Sequence, residues 1–365
     1  MLKKVFGLAL LMGSVLLTGC LKSDDNKNNE PQEYVVTEGA YIVNSGDLAN
    51  GKDGSLTYID FSTGTAINNV YPIGKNPSDV MVYGNKVYVV GCGSNTIYVL
   101  NKKTRTLIET INTVDEMGEE EGSEPFYATA YGSNAYVSTH GGYVAVIDTA
   151  SLIITKKYKV GSYPEGMGIG VTDNGTTREA TLYVANSDNG NGEGSISKIN
   201  LSSGSVTEIK DDLIKNPRSV VVGGSSAFVL DLGYIDAEGN QKDNGVYFIS
   251  SEGKVSKLID KATGMSAGGQ SIITYNHPVG SSTVDYKVYN LYYNSLSTFG
   301  LSGDDAKPIT KPLAISIDPN TGYLMISSPG YVNMYDGNGY LYKSFDAGEN
   351  PVGICYSYGT AIYKQ

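Results

Sequence analysis

Along most of this chain, apolar and polar positions alternate with a two-residue period in short stretches, and Gly, Asn and Ser interrupt them at regular spacing. "GYVAVID", "GSISKIN" and "NGVYFIS" alternate clearly. "SDVMVYG", "FYATAYG" and "RSVVVGG" are more continuously apolar, as expected of strands buried on both faces. The stretches fall into a recurring unit. A knuckle such as Lys75-Asn76-Pro77 leads into strand A, and a tight turn leads into strand B ("KVYVVG", "NAYVST", "TLYVAN", "SAFVLD"). A Gly/Asn/Ser-rich loop then precedes strand C, and strand D ("LIITKKYKV", "VTEIK") closes the unit. Asp60, Asn101, Asp148, Asn200 and Asp336 end the C strands, where Asx side chains cap their own turns.

Knuckle prolines stand at 77, 125, 164, 217, 312 and 351. The double-length gap after Pro217 is filled by "GMSAGGQSIITYN" (264–276), with Gly269-Gln270 in place of proline. From 77 to 351 there are six intervals over 274 residues, about 46 each, a period that suits four-stranded propeller blades. The first phrase, "AYIVNSGDLANGKDGSLTYID" (40–60), is B then C without an A, and the last, "PVGICYS", is an A without C or D. Pairing them predicts a seven-bladed β-propeller over 39–365, closed by its C-terminal strand, with no open sheet edge. "TAIYKQ" at the end is left over as a surplus strand.

The N-terminus follows another pattern. A basic start, Met1-Leu2-Lys3-Lys4, and an apolar run from Val5 to Leu17 have signal-peptide form. Residues 1–19 are expected to be cleaved and 20–38 ("CLKSDDNKNNEPQE…") to form a solvated tether. Leu17-Thr18-Gly19-Cys20 resembles the lipobox of bacterial lipoproteins, which implies lipidation of Cys20. Lys22-Ser23-Asp24-Asp25 resembles the acidic signal that sends Bacteroidota lipoproteins to the cell surface. Together they imply an outer-membrane, lipid-anchored protein facing the outside.

Composition narrows the function classes. With 45 Gly, 29 Tyr, no Trp and a formal net charge of −11, the chain lacks the clustered cations that phosphate backbones need, which argues against nucleic acid. Cys92 and Cys355 each lie in or beside an apolar strand, and we read both as unpaired thiols. No Cys/His spacing suggests zinc, and the Gly/Asp-rich loops lack the calcium-loop ladder.

"AYVSTHGGYVAVIDTASLIITKKYKVGSYPEGMGIG" (135–170) resembles the YVTN-type repeat of YncE-like seven-bladed propellers. The absence of Trp disfavours WD40 repeats and quinone-cofactor propellers. Lipobox, acidic tether and Tyr-rich YVTN propeller together look like the BtuG-type surface lipoproteins. That resemblance implies capture of cobalamin, as a transported ligand rather than a cofactor. It also implies hand-over to a TonB-dependent outer-membrane transporter of the BtuB type by a protein otherwise monomeric.

Strand order puts D–A knuckles and B–C loops on one face and A–B and C–D turns on the other. The first set is richer and is where a site is expected. On it we place Tyr127, His140, Tyr143, Tyr163, Asn186, Asp188, Arg218, Asp231, Tyr234, Tyr292, Tyr293 and Tyr331. A corrinoid is a broad ring edged with amides, and Tyr offers flat contact plus a hydrogen bond at low entropic cost. Tyr also favours strands for its own sake. Tyr127, Tyr163, Tyr234 and Tyr331, read as loop positions, are less explained by that preference. His140 begins a B–C loop and serves either a ligand or its own turn. His277 falls in what reads as an A–B insertion, on the other face. Three functions stay open: a non-catalytic ligand-capturing module, a protein-interaction or surface-layer scaffold, and a lactonase-like hydrolase. The first is expected.

Overall fold

The computed structural model describes residues 32–173, 175–223 and 225–363. The expected lipidation site Cys20 and the acidic residues Asp24 and Asp25 lie outside them. Among the described residues the strands form seven four-stranded antiparallel sheets and one two-stranded hairpin. Blades 2 to 5 follow the expected grammar. Their A strands are Pro77–Tyr83, Pro125–Tyr131, Pro164–Asp173 and Pro217–Gly223. A strands of neighbouring blades touch one another and so surround the central axis.

Each blade buries both faces, which places the core between blades rather than within them. Seven hydrophobic clusters fill the clefts between neighbouring blades. The period of two sorts each strand between two clefts. In Asn134–Thr139, Ala135 and Val137 pack toward blade 2 and Tyr136 toward blade 4. Most strand tyrosines are consumed here: Tyr41, Tyr88, Tyr183 and Tyr247 are among the largest fully buried side chains.

The ring closes as expected, and further. Strand B of blade 1, Gln32–Asn44, pairs with strand A, Pro351–Tyr363, along its whole length from Asn44↔Pro351 to Gln32↔Tyr363. The surplus "TAIYKQ" is therefore no separate strand. Through Tyr363 it prolongs strand A against residues that the sequence reads as tether, so strand structure starts at Gln32 rather than at 39. Tyr34 and Val35 are exposed on this ribbon. It leaves the ring on the A–B/C–D turn face, so the chain enters opposite the knuckles.

Blade 6 corrects the expected register. Its A strand is Gly264–Gly268 and its B strand Ser271–Asn276, so Gly269-Gln270 is the A–B turn and not a knuckle. His277 to Val284 is consequently a B–C loop on the knuckle face. Strand C is Asp285–Asn290, and the Asn290 side chain accepts from the backbone N–H groups of Tyr292 (3.0 Å) and Tyr293 (2.9 Å). Those two tyrosines are the C–D turn, on the opposite face. One strand's slip accounts for both misplacements. Without a proline, nothing in this unit marks where the first strand starts.

The C-strand caps behave as read. Asp60, Asn101, Asp148, Asn200 and Asp336 each accept backbone N–H groups from their own turns.

Candidate functional site

The knuckle face is built by two local devices. The residue before the knuckle proline takes the left-handed conformation in Asn76 (φ 46°), Glu124 (49°), Tyr163 (54°) and Asn350 (50°). Asn tolerates this region; Glu and Tyr pay more for it. Immediately after the proline, a β-bulge takes Ser78, Phe126, Glu165 and Arg218 out of the A–B ladder. Bulges re-aim side chains, and strained positions persist where surroundings hold them. In blades 3 and 4 both devices, and in blade 5 the bulge alone, aim side chains at one place.

There the imidazole of His140 lies between two rings. Its centroid is 3.7 Å from that of Tyr163, stacked at 17°, and 4.8 Å from that of Phe126, tilted at 31°. His140 Nδ1 lies 3.0 Å from the Glu124 carboxylate, while Nε2 is buried without a hydrogen-bond partner. Burial holds its pKa below the usual histidine value against the pull of Glu124. Beside this stack, Glu165 is wholly buried and paired with Arg218, whose side chain is 35% exposed. The same Glu165 oxygen accepts from Ser187 Oγ (3.0 Å), and the other has no partner. Burial raises the Glu165 carboxyl to about 7, partly offset by Arg218. The Arg218 guanidinium stands 5.6 Å from the Phe126 ring. Cys92, buried nearby, has its thiol pushed up to about 12 by burial, with Glu124 and Glu165 adding to it. Both Cys92 and Cys355 are free.

Between the A strands of blades 2 and 3 lies a second perturbed acid. Asp79 accepts from the backbone N–H of Ala128 (2.9 Å), and burial raises it to about 7. The residue is partly exposed, yet protein surrounds its carboxyl.

The expected site residues divide accordingly. His140, Tyr163 and Arg218 come together. Asp188 lies near them, in a short 3-10 turn whose N–H reaches Ser162 O (3.1 Å). Tyr127 is in strand A rather than a loop, and burial raises its hydroxyl far above the usual tyrosine range. Tyr143 and Tyr331 open C strands on the knuckle face. Tyr331 donates to Pro308 O, and Lys157 and Lys307 stand over the two rings at 5.8 and 5.3 Å. Tyr234 is exposed on the small hairpin Tyr234–Ile235/Gln241–Lys242, apart from the stack. Tyr292 and Tyr293 leave the site altogether.

Asn186 and Asp231 prove to be internal braces. Asn186 donates to Ser195 Oγ (3.1 Å) and Ser197 Oγ (3.0 Å). Asp231 accepts from the backbone N–H groups of Lys215 (2.9 Å), Asn216 (3.0 Å) and Gly233 (2.7 Å). Both end B strands, where a buried polar side chain ties down the neighbouring loop or knuckle. Glu124, Phe126 and Glu165 were missed. Aligning the knuckles offers the signal: Glu165 stands where other blades carry Ser78, Phe126, Arg218 and Val352.

Among the described residues, no three of His, Cys, Asp and Glu converge as a metal-ligand set. No family model matches the sequence, and no curated protein matches it. Solved structures do. Kuenenia stuttgartiensis hydrazine synthase is similar with a TM-score of 0.61 at 16% identity, over 79% of this chain and 95% of that one. The WD40 repeats of RRP9 reach 0.58 at 10% identity, over 77% and 84%. The Neurospora crassa Pan2 WD40 domain reaches 0.51 at 11%, over 76% and 80%. At these identities the likeness concerns fold alone. The chain is a seven-bladed β-propeller, closed by pairing of its two ends, with a buried polar cluster under an aromatic stack on its knuckle face.

Proposed function

We propose that this propeller is a non-catalytic capture module that binds a corrinoid of the cobalamin type on its knuckle face. The His140–Tyr163 stack carries the proposal. Two knuckles depart from the tolerant Asn and spend left-handed backbone on Glu124 and Tyr163, whose side chains frame one imidazole. Backed by the buried His140, the partly exposed Tyr163 ring offers a rigid flat surface for a macrocycle's apolar area. Arg218 and Asp188 supply polar contacts around it. Gln32, where the described residues begin, lies on the opposite face, and a lipid expected upstream at Cys20 would suit a ligand face at the knuckles. In this reading the protein hands its ligand to a TonB-dependent transporter, in keeping with its resemblance to BtuG-type lipoproteins.

Calorimetric titration with cyanocobalamin tests this, together with co-elution of its colour in gel filtration. Saturable binding by the wild type, weakened by Tyr163→Ala, is expected. No binding points to a scaffold. Binding unchanged by Tyr163→Ala removes this face. A hydrolase is the competing reading, favoured by a Glu165 carboxyl held near neutrality beside His140. Chemical turnover of the ligand during the titration would decide for it.

A further inference from the structure

On the opposite face, a cleft of about 570 Å³ opens between blades 1 and 2, within the usual size range of small-molecule sites. Its walls are the C–D turns of the two blades and the base of the closing ribbon. They bring Lys102, Lys103 and Arg105 together with Glu38, Asp60 and Tyr58. Three cations converge there in a chain whose formal net charge is −11.

The two carboxylates are largely engaged. Asp60 accepts from Ser62 N–H (2.8 Å), Ser62 Oγ (2.7 Å) and Thr63 N–H (3.1 Å) in its own turn. Glu38 stands 3.9 Å from Lys102, whose ammonium also donates to Tyr358 O. Lys103 and Arg105 have no carboxylate partner among the described residues.

Arg105 carries the strongest sign. Its φ is +61°, at the turn position that Gly64 fills in blade 1 and Gly204 in blade 4. Leu152 holds the same position in blade 3 and packs into the core. Arg105 instead lays its guanidinium 4.0 Å from the centre of the Tyr58 ring, and its Nε is buried without a hydrogen-bond partner. Guanidinium groups match carboxylate and phosphate oxygens in paired hydrogen bonds.

We propose that this cleft binds a small organic oxyanion, a carboxylate or a phosphate ester, through Arg105 and Lys103, with Tyr58 holding the guanidinium in place. The site is separate from the knuckle face and independent of what binds there. Two cations without a carboxylate partner among the described residues, in so acidic a protein, suit a small molecule, not a nucleic-acid backbone.

Citrate and inorganic phosphate serve as probes, measured by calorimetry and thermal shift against sodium chloride at equal ionic strength. The wild type is expected to respond saturably to at least one probe, beyond the salt control, and the responding probe names the oxyanion class. Lys103→Gln, at an exposed position, should weaken that response roughly tenfold, as loss of a charge-assisted hydrogen bond would. Arg105→Gln should abolish it. Should Arg105→Gln fail to fold, Lys103→Gln still decides. A wild type that responds to neither probe overturns the proposal, as does a Lys103→Gln variant that responds like the wild type.

Discussion

His140 and Tyr163 lie face to face, centroids 3.7 Å apart, although they come from different blades and Tyr163 sits in a backbone region that tyrosine rarely adopts. Stacking, together with Glu124 on His140 Nδ1, offsets the backbone cost. Replacing Tyr163 separates the two contributions. Tyr163→Ala keeps the strain and loses the ring, whereas Tyr163→Gly loses both. We expect the Gly variant to be more stable than the Ala variant by about 1 kcal/mol in denaturant melts. Under the proposed corrinoid function, both should also lose ligand affinity by roughly 2 kcal/mol, about thirtyfold. Equal stabilities would show that the left-handed knuckle is not strained.

Glu165 makes stability depend on pH. Its folded-state pKa, about 7, is above the unfolded value. The native state therefore holds the proton more tightly, and stability from this group is full below about 4.5 and lost as pH rises through 7. The loss is at most about 3 kcal/mol. Asp79, also raised to about 7, works in the same sense. His140, held below its usual value, works in the opposite sense at acid pH. Glu165→Gln and Asp79→Asn should each flatten the fall in melting temperature between pH 5 and 8. An unaltered pH profile in Glu165→Gln would mean that its carboxyl is not perturbed.

Arg218 neutralises that buried acid. Arg218→Met should leave Glu165 without its counter-charge and cost about 3 kcal/mol at pH 8. At pH 5, where Glu165 is protonated, the cost should be much smaller. A loss equal at the two pH values would place the role of Arg218 in packing alone.

Ring closure predicts two different truncations. Ending the chain at Asn350 removes the inner strand of blade 1, bares the edge of Gln32–Asn44 and uncovers Pro77–Tyr83, which packs beside it, so the melting temperature should drop sharply. Ending it at Tyr358 removes only part of the exposed ribbon and should cost little. Similar melting curves for both would contradict closure by pairing of the ends.

Asp231→Ala should destabilise the fold by about 3 kcal/mol, because buried N–H groups of Lys215, Asn216 and Gly233 lose their acceptor. Asp231→Asn, which retains one acceptor oxygen, should cost less. If urea melts of the Ala variant matched the wild type while ligand binding fell, Asp231 would be a ligand contact after all.

Periodicity, the spacing of the knuckle prolines and the incomplete first and last phrases determined the architecture by themselves. These are local signals: alternation assigns strands, Asx and Pro mark turns, and a missing A strand at one end matches a spare one at the other. Where the local mark was absent, as in the proline-free blade 6, the register slipped by a strand and carried His277, Tyr292 and Tyr293 to the wrong faces. Membership of the candidate site depended on the tertiary structure. Asn186 and Asp231 look like exposed polar loop residues in sequence, but closure of the knuckles over them turns them inward. Glu165 and Phe126 look like ordinary strand residues until bulges lift them off the ladder. The pairing of His140 with Tyr163, and of Glu165 with Arg218, joins neighbouring blades. No one-dimensional period encodes which side chains meet across such a seam. That is settled by the packing of one blade against the next.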